Sequence, residues 1–193
     1  MLLGYLIFAH LLGDFVFQPE KLVQLKMKSV KGVFIHVFIH FVIGMVILAP
    51  FILNGYEWLV PVILGICFFH FWIDQAKINY DLKHDKKVRP FVIDQLLHLL
   101  TLLLAYFFTS DIELVLPEGS FYEIYTNINV IIVFSFVIFL SAAVETYRYQ
   151  ILREKNAKAK FNPNPKKILR RISVFSIIYA LFMLLALYAT KKI

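Results

Sequence analysis

The chain has 193 residues, 60% of them hydrophobic and 17% charged, with 20 Phe, 10 Tyr and a mean hydropathy of +0.73. A soluble domain runs at about 45–50% apolar with about a quarter of its residues charged, so a soluble globular class is excluded and an integral membrane protein is indicated. The lone Cys67 excludes both a disulfide framework and a thiolate metal knot, and the net charge of +7 has to be read connection by connection before it says anything about partners.

Apolar runs extend over about residues 2–17, 33–53, 58–73, 91–108, 130–144 and 172–189. At 1.5 Å per residue these runs approach the thickness of the hydrocarbon layer, which predicts an all-α polytopic membrane bundle of about six transmembrane helices, one domain over residues 1–193. The first run has no basic leader and no small-residue cleavage site, and it carries His10 and Asp14. It is therefore expected to be a retained span, not a signal peptide.

The connections alternate in charge. The first holds Lys21, Lys26, Lys28 and Lys31 against Glu20, and the third holds Lys77, Lys83, Lys86, Lys87 and Arg89 against Asp81 and Asp85. The fifth, from Arg148 to Arg171, holds nine Lys and Arg against Glu154, so these three connections carry 18 of the 20 basic residues. The second (Asn54 to Glu57) and the fourth (Asp111 to Glu123) are acidic. The positive-inside rule then predicts a multi-pass protein of the cell membrane with its basic connections cytoplasmic and both termini outside, against a minor dissent from Lys191 and Lys192. A basic segment beside a span is attracted to anionic headgroups. Membrane lipids are thus the expected partners, an anionic lipid is a candidate substrate, and no nucleic acid is expected.

Five histidines and three aspartates interrupt the first four runs. They form four pairs spaced i,i+4: His10 with Asp14, His36 with His40, His70 with Asp74, and Asp94 with His98. That spacing puts each pair on one helix face. Successive spans run in opposite directions, and the order within the pairs reverses with them. Asp14, His36, Asp74 and Asp94 fall roughly 4 to 8 Å below the basic boundary, and His10, His40, His70 and His98 roughly 10 to 13 Å below it. Ionisable groups in hydrocarbon are costly and normally face a bundle interior, so one common site is expected.

Imidazole and carboxylate without thiolate form the donor set of Zn, Mn or non-haem Fe. All eight residues are candidate ligands of one or two divalent transition metals, zinc first among them, and Asp14, Asp74 and Asp94 are the candidate catalytic bases. A proton or ion relay without a fixed metal is the alternative, followed by hydrogen bonding that serves packing alone. Gln18 and Gln95 are placed to orient a ligand or to sit at the interface. Glu145 and Arg148 pair with each other or reach the site. Lys77 is a snorkelling anchor or a phosphate contact, and His84 is a solvated loop residue.

The run His10-Leu-Leu-Gly-Asp14-Phe-Val-Phe-Gln18, with His36, His70-Phe-Trp-Ile-Asp74 and Asp94-Gln95-Leu-Leu-His98, resembles a family of small bacterial multi-pass membrane proteins of unknown function over roughly residues 5 to 100. More loosely, the chain is similar to membrane-bound metal-dependent hydrolases, whose helices also supply His and Asp, although the H-R-x-x-T-H-S motif of one such group is missing. The family likeness supplies no reaction and the hydrolase likeness is an analogy; the metal donors and their place near the cytoplasmic side make a metal-dependent hydrolase of a lipid or lipid-linked substrate the first expectation. A metal-ion or proton transporter is the competing class, and a b-haem or quinone protein would leave the three aspartates unused.

Overall fold

The computed structural model describes residues 1–109, 115–156 and 159–190, without the side chains of 183 and 186–190. Asp111, Glu113, Lys158, Lys191 and Lys192, which entered the charge count, lie outside the described residues. Every element among the described residues is helical: α1 Leu2–Leu11, α2 Glu20–Lys28, α3 Val30–Ile52, α4 Leu59–Lys83, α5 Val88–Phe107, α6 Ser120–Thr126, α7 Ile128–Ile138, α8 Val144–Lys155 and α9 Pro165–Thr190. Wide π turns continue α1 over Leu12–Val16 and join α7 to α8 over Phe139–Ala143.

Four helices are long and apolar enough to cross a membrane: α3, α4, α5 and the 28-residue rod Ile128–Lys155. The first apolar run behaves differently from a straight span. Pro19 holds extended backbone, with φ −66 and ψ 157, and disfavours helical geometry at Gln18, so the helix stops and α2 leaves at 87°. With that bent pair taken as one span the number rises to five. The sixth apolar run falls in α9.

Helix α4 also outlasts its apolar run by ten residues. Gln75, Ala76 and Lys77 are good helix formers, and Ile78 and Asp81 keep the buried face going, so Lys77 belongs to a helix and not to a connection.

The packing divides the bundle along its axis. At one end Leu2, Tyr5 and Leu6 meet Leu48, Phe51, Leu59, Ile63, Cys67, Leu102 and Ile131 in an apolar core. Two hydrogen bonds tie this core to α6: the Tyr5 hydroxyl donates to the carbonyl of Tyr125 and the Tyr125 hydroxyl to that of Ile47, each at 2.6 Å. The opposite end carries α2 and the basic α4–α5 connection, where the amide of Lys87 donates to Glu154 at 3.2 Å. The polar side chains of the first four apolar runs gather between the apolar core and this basic end. Outward faces are rich in exposed Phe34, Phe38, Phe68, Trp72, Leu96 and Leu100, a surface that suits lipid.

Candidate metal centre

Each of the first three long elements contributes one polar face. The π turn after α1 presents Asp14, α3 presents His36 and His40, and α4 presents His70 and Asp74; α5 adds Asp94 and His98. His36, His70, Asp74, Asp94 and His98 are each at most 5% exposed, a depth at which unsatisfied polar atoms are costly.

The structure brings all eight residues together. Oδ1 of Asp14 lies 3.1 Å from Nε2 of His36, 3.1 Å from Nε2 of His40 and 3.7 Å from Nε2 of His70. The Nε2 atoms of His36 and His70 are themselves 3.1 Å apart. Four bonds of about 2.05 Å to one ion would space tetrahedral ligand atoms about 3.3 Å apart, close to these edges. Hydrogen bonding alone fits less well. A neutral imidazole has one N–H, so if His70 donates to Nε2 of His36, that nitrogen is unprotonated and has no N–H to give to Asp14. Extra protons or a central cation would resolve the conflict.

The remaining residues extend the cluster sideways. Nε2 of His10 is 3.4 Å from Oδ2 of Asp14, and the His10, His40, His70 and His98 rings pack with centroids 4.0 to 5.6 Å apart. Nε2 of His98 is 3.9 Å from Oδ1 of both Asp74 and Asp94. Three donor sets result: His10, Asp14, His40 and His70; His36, His70 and Asp74; and Asp74, Asp94 and His98. The first and third share no residue, so the cluster has donors for two ions at once.

The buried atoms without a hydrogen-bond partner among the described residues include Nε2 of His10, Oδ1 of Asp94 and both ring nitrogens of His98. Native interiors seldom leave such groups unpaired, and His10, Asp94 and His98 each belong to one of the donor sets.

Both glutamines act on this cluster. Nε2 of Gln95 donates to Oδ2 of Asp14 at 3.0 Å and to Oδ2 of Asp94 at 3.1 Å. Gln18 donates to the carbonyl of Asp14 at 3.2 Å and lies 3.4 Å from Nε2 of His36. Glu145 does not join. It pairs with Arg148 at 2.9 Å and with Arg171 of α9 at 2.7 Å. His84 stacks on Tyr80 at the surface, and Lys77 reaches Asp81 at 3.6 Å.

Two contributors have no clear mark in the sequence. Lys26 is buried and ion-paired with Asp74, while its ammonium also donates to Oε1 of Gln18 at 3.4 Å. In the sequence it stands among the topology charges, and the signal for its burial is its place one turn after Leu22, on the buried face of α2. Gly13 is the other, because a side chain there would run into the His40 ring. Lys26 thus sets one ammonium against the three carboxylates and five imidazoles of the cluster.

A family model described as protein of unknown function, DUF3307, matches residues 2–121, which hold all eight cluster residues. The chain belongs to that family. Neither a curated protein nor a solved structure matches it. The family description supplies no reaction, so the functional reading rests on the cluster.

Proposed function

We propose that the chain is one integral membrane domain over residues 1–193, of about six spans, and acts as a metal-dependent hydrolase of a lipid or lipid-linked substrate at the cytoplasmic leaflet. The observation that carries this reading is the convergence of Nε2 of His36, His40 and His70 on one oxygen of Asp14 in a buried cluster. Asp14, His40 and His70 with His10 would hold one divalent transition metal. Asp74 and His98 would help to hold a second, with His36 between them and Asp94 beside it. Zinc suits these donors best, and manganese or iron would also be accepted. Such an ion would polarise the scissile group and bring the pKa of water toward about 7.

The chain's own groups divide the remaining work. Asp14 is engaged on both oxygens and Asp74 is ion-paired with Lys26, whereas Oδ1 of Asp94 is among the buried carboxylate oxygens with no hydrogen-bond partner among the described residues. We assign Asp94 the role of general base toward water, oriented by Gln95. The sequence supplies no nucleophile elbow, which favours direct attack by water.

Transport, the competing reading, needs a polar path across the bundle. Beyond the cluster, α4 buries Cys67, Ile63 and Leu59 in succession, and the linked Tyr5 and Tyr125 close that end, an arrangement that supports a site over a pathway.

Metal analysis of detergent-purified protein tests the proposal. At least one tightly held transition metal per chain is expected, and His70→Ala and Asp74→Ala should each lower metal content and activity, with lipid-facing Leu64→Ala as control. Full occupancy and activity in both variants would reject the assignment, and a metal-free wild type that conducts ions across liposomes would put transport first.

A further inference from the structure

A groove of about 400 Å³ opens between the second half of α4 and the first half of α5, a size typical of ligand sites. Ile73, Ala76, Lys77 and Tyr80 line it on one side; Arg89, Pro90, Ile93, Asp94 and Leu97 line it on the other. The two helices run antiparallel, and the lining is graded along them. Arg89 stands at the basic end, about 12 Å of helix rise from Leu97, and Lys77 stands about 6 Å from Ile73. One end is therefore cationic, the other is aliphatic, and the side wall includes a cluster carboxylate.

We infer that this groove binds an anionic glycerophospholipid, with Lys77 and Arg89 meeting its phosphate and Ile73, Ile93 and Leu97 receiving the start of an acyl chain. The choice of a lipid substrate rests on the hydrolase reading, which this inference deepens.

Charge complementarity selects the occupant. Two cations flank an otherwise largely apolar furrow, and a phosphate accepts charge-assisted hydrogen bonds from both. Arg89 is exposed, and Lys77 is anchored on one side by Asp81 at 3.6 Å. A free soluble anion would leave the aliphatic end unused, whereas a zwitterionic lipid would set its own cation against Lys77 and Arg89. The groove also explains how substrate would reach a buried cluster. Asp94 lines the furrow and belongs to the donor set with Asp74 and His98, so a headgroup held by the two cations lies beside the proposed base.

Native mass spectrometry of the full chain in detergent tests this with three probes: dioleoyl phosphatidate, dioleoyl phosphatidylcholine and inorganic phosphate. Phosphatidate should bind at least about tenfold more tightly than phosphatidylcholine, and Lys77→Gln and Arg89→Gln should each weaken it several-fold, in proportion to a lost charged hydrogen bond. Phosphatidylcholine binding and metal content should stay the same in both variants. Ile93→Trp fills the furrow without changing charge and should weaken both lipids. Arg89→Gln alters an exposed side chain, so it provides a folded variant should Lys77→Gln disturb the Asp81 pair.

Equal affinity for the two lipids, unchanged phosphatidate binding in both charge variants, or full displacement by inorganic phosphate at the lipid's own concentration would each overturn the inference. A protein lacking metal and turnover that still binds phosphatidate in this charge-dependent way would end the hydrolase reading and support the groove. A metal-loaded, active enzyme whose phosphatidate binding ignores both variants would end the groove inference alone.

Discussion

Gly13 lacks a side chain where one would meet the imidazole of His40, and this close approach lets α3 bring His40 within 3.1 Å of Asp14. Alanine is better than glycine in a helix by about 1 kcal/mol, so on propensity alone Gly13→Ala would stabilise the first helix. The structure predicts a different outcome: a folded, inserted protein whose bound metal falls as far as in His40→Ala, measured as metal per purified chain. Undiminished metal in Gly13→Ala would show that His40 is not held by this contact. Lys26 permits a test of opposite sign. Its ammonium is the buried counter-charge of Asp74, and Lys26→Met would leave that carboxylate with one cation fewer beside it. The metal-free variant should therefore melt at a lower temperature than the wild type, while added divalent metal should raise its melting temperature by a larger increment. Equal increments in the two proteins would separate Lys26 from the metal site.

Among the elements, the two π turns interrupt helices next to polar groups, a common place for such irregularities. The first carries Asp14. The second, Phe139–Ala143, is bound from α9, where Nε of Arg171 donates to the carbonyl of Leu140 at 2.9 Å and Nη2 reaches Glu145 at 2.7 Å. The amide of Asn164 adds a bond to Glu145 at 3.4 Å, so one buried carboxylate fastens α8, the connection and α9. Glu145→Gln weakens these charge-assisted bonds, and a loss of about 1 kcal/mol in thermal stability with unchanged metal content is expected. Metal loss in that variant would mean that the latch supports the cluster as well.

The four i,i+4 pairs were legible because a helix turns spacing into a common face, and reversal of their order between antiparallel spans put them at matching depths. Less was legible where three dimensions decide. A lysine between apolar runs counts equally as a topology charge or a buried counter-ion, and only the sharp turn at Pro19 sends Lys26 to Asp74. Lys77 likewise read as an anchor or a phosphate contact, and the furrow beside it exists only once α4 outlasts its apolar run and α5 packs against it.

At the scale of the molecule, the basic connections, the cluster and the groove mouth share one end, while the apolar core and the tyrosine pair close the other. Orientation therefore determines which leaflet would supply the substrate. The positive-inside rule predicts that the basic end faces the cytoplasm. Cysteine labelling in a Cys67→Ala background provides the check. Asn162→Cys lies in the basic connection before α9 and should react with a membrane-impermeant maleimide only after permeabilisation. Glu57→Cys lies in the turn between α3 and α4, at the opposite end of those helices, and should react in intact cells. A reversed pattern would turn the groove mouth to the outer leaflet. It would leave the cluster's internal geometry untouched and move the proposed substrate to lipids of that leaflet, because the apolar core blocks approach from the other end.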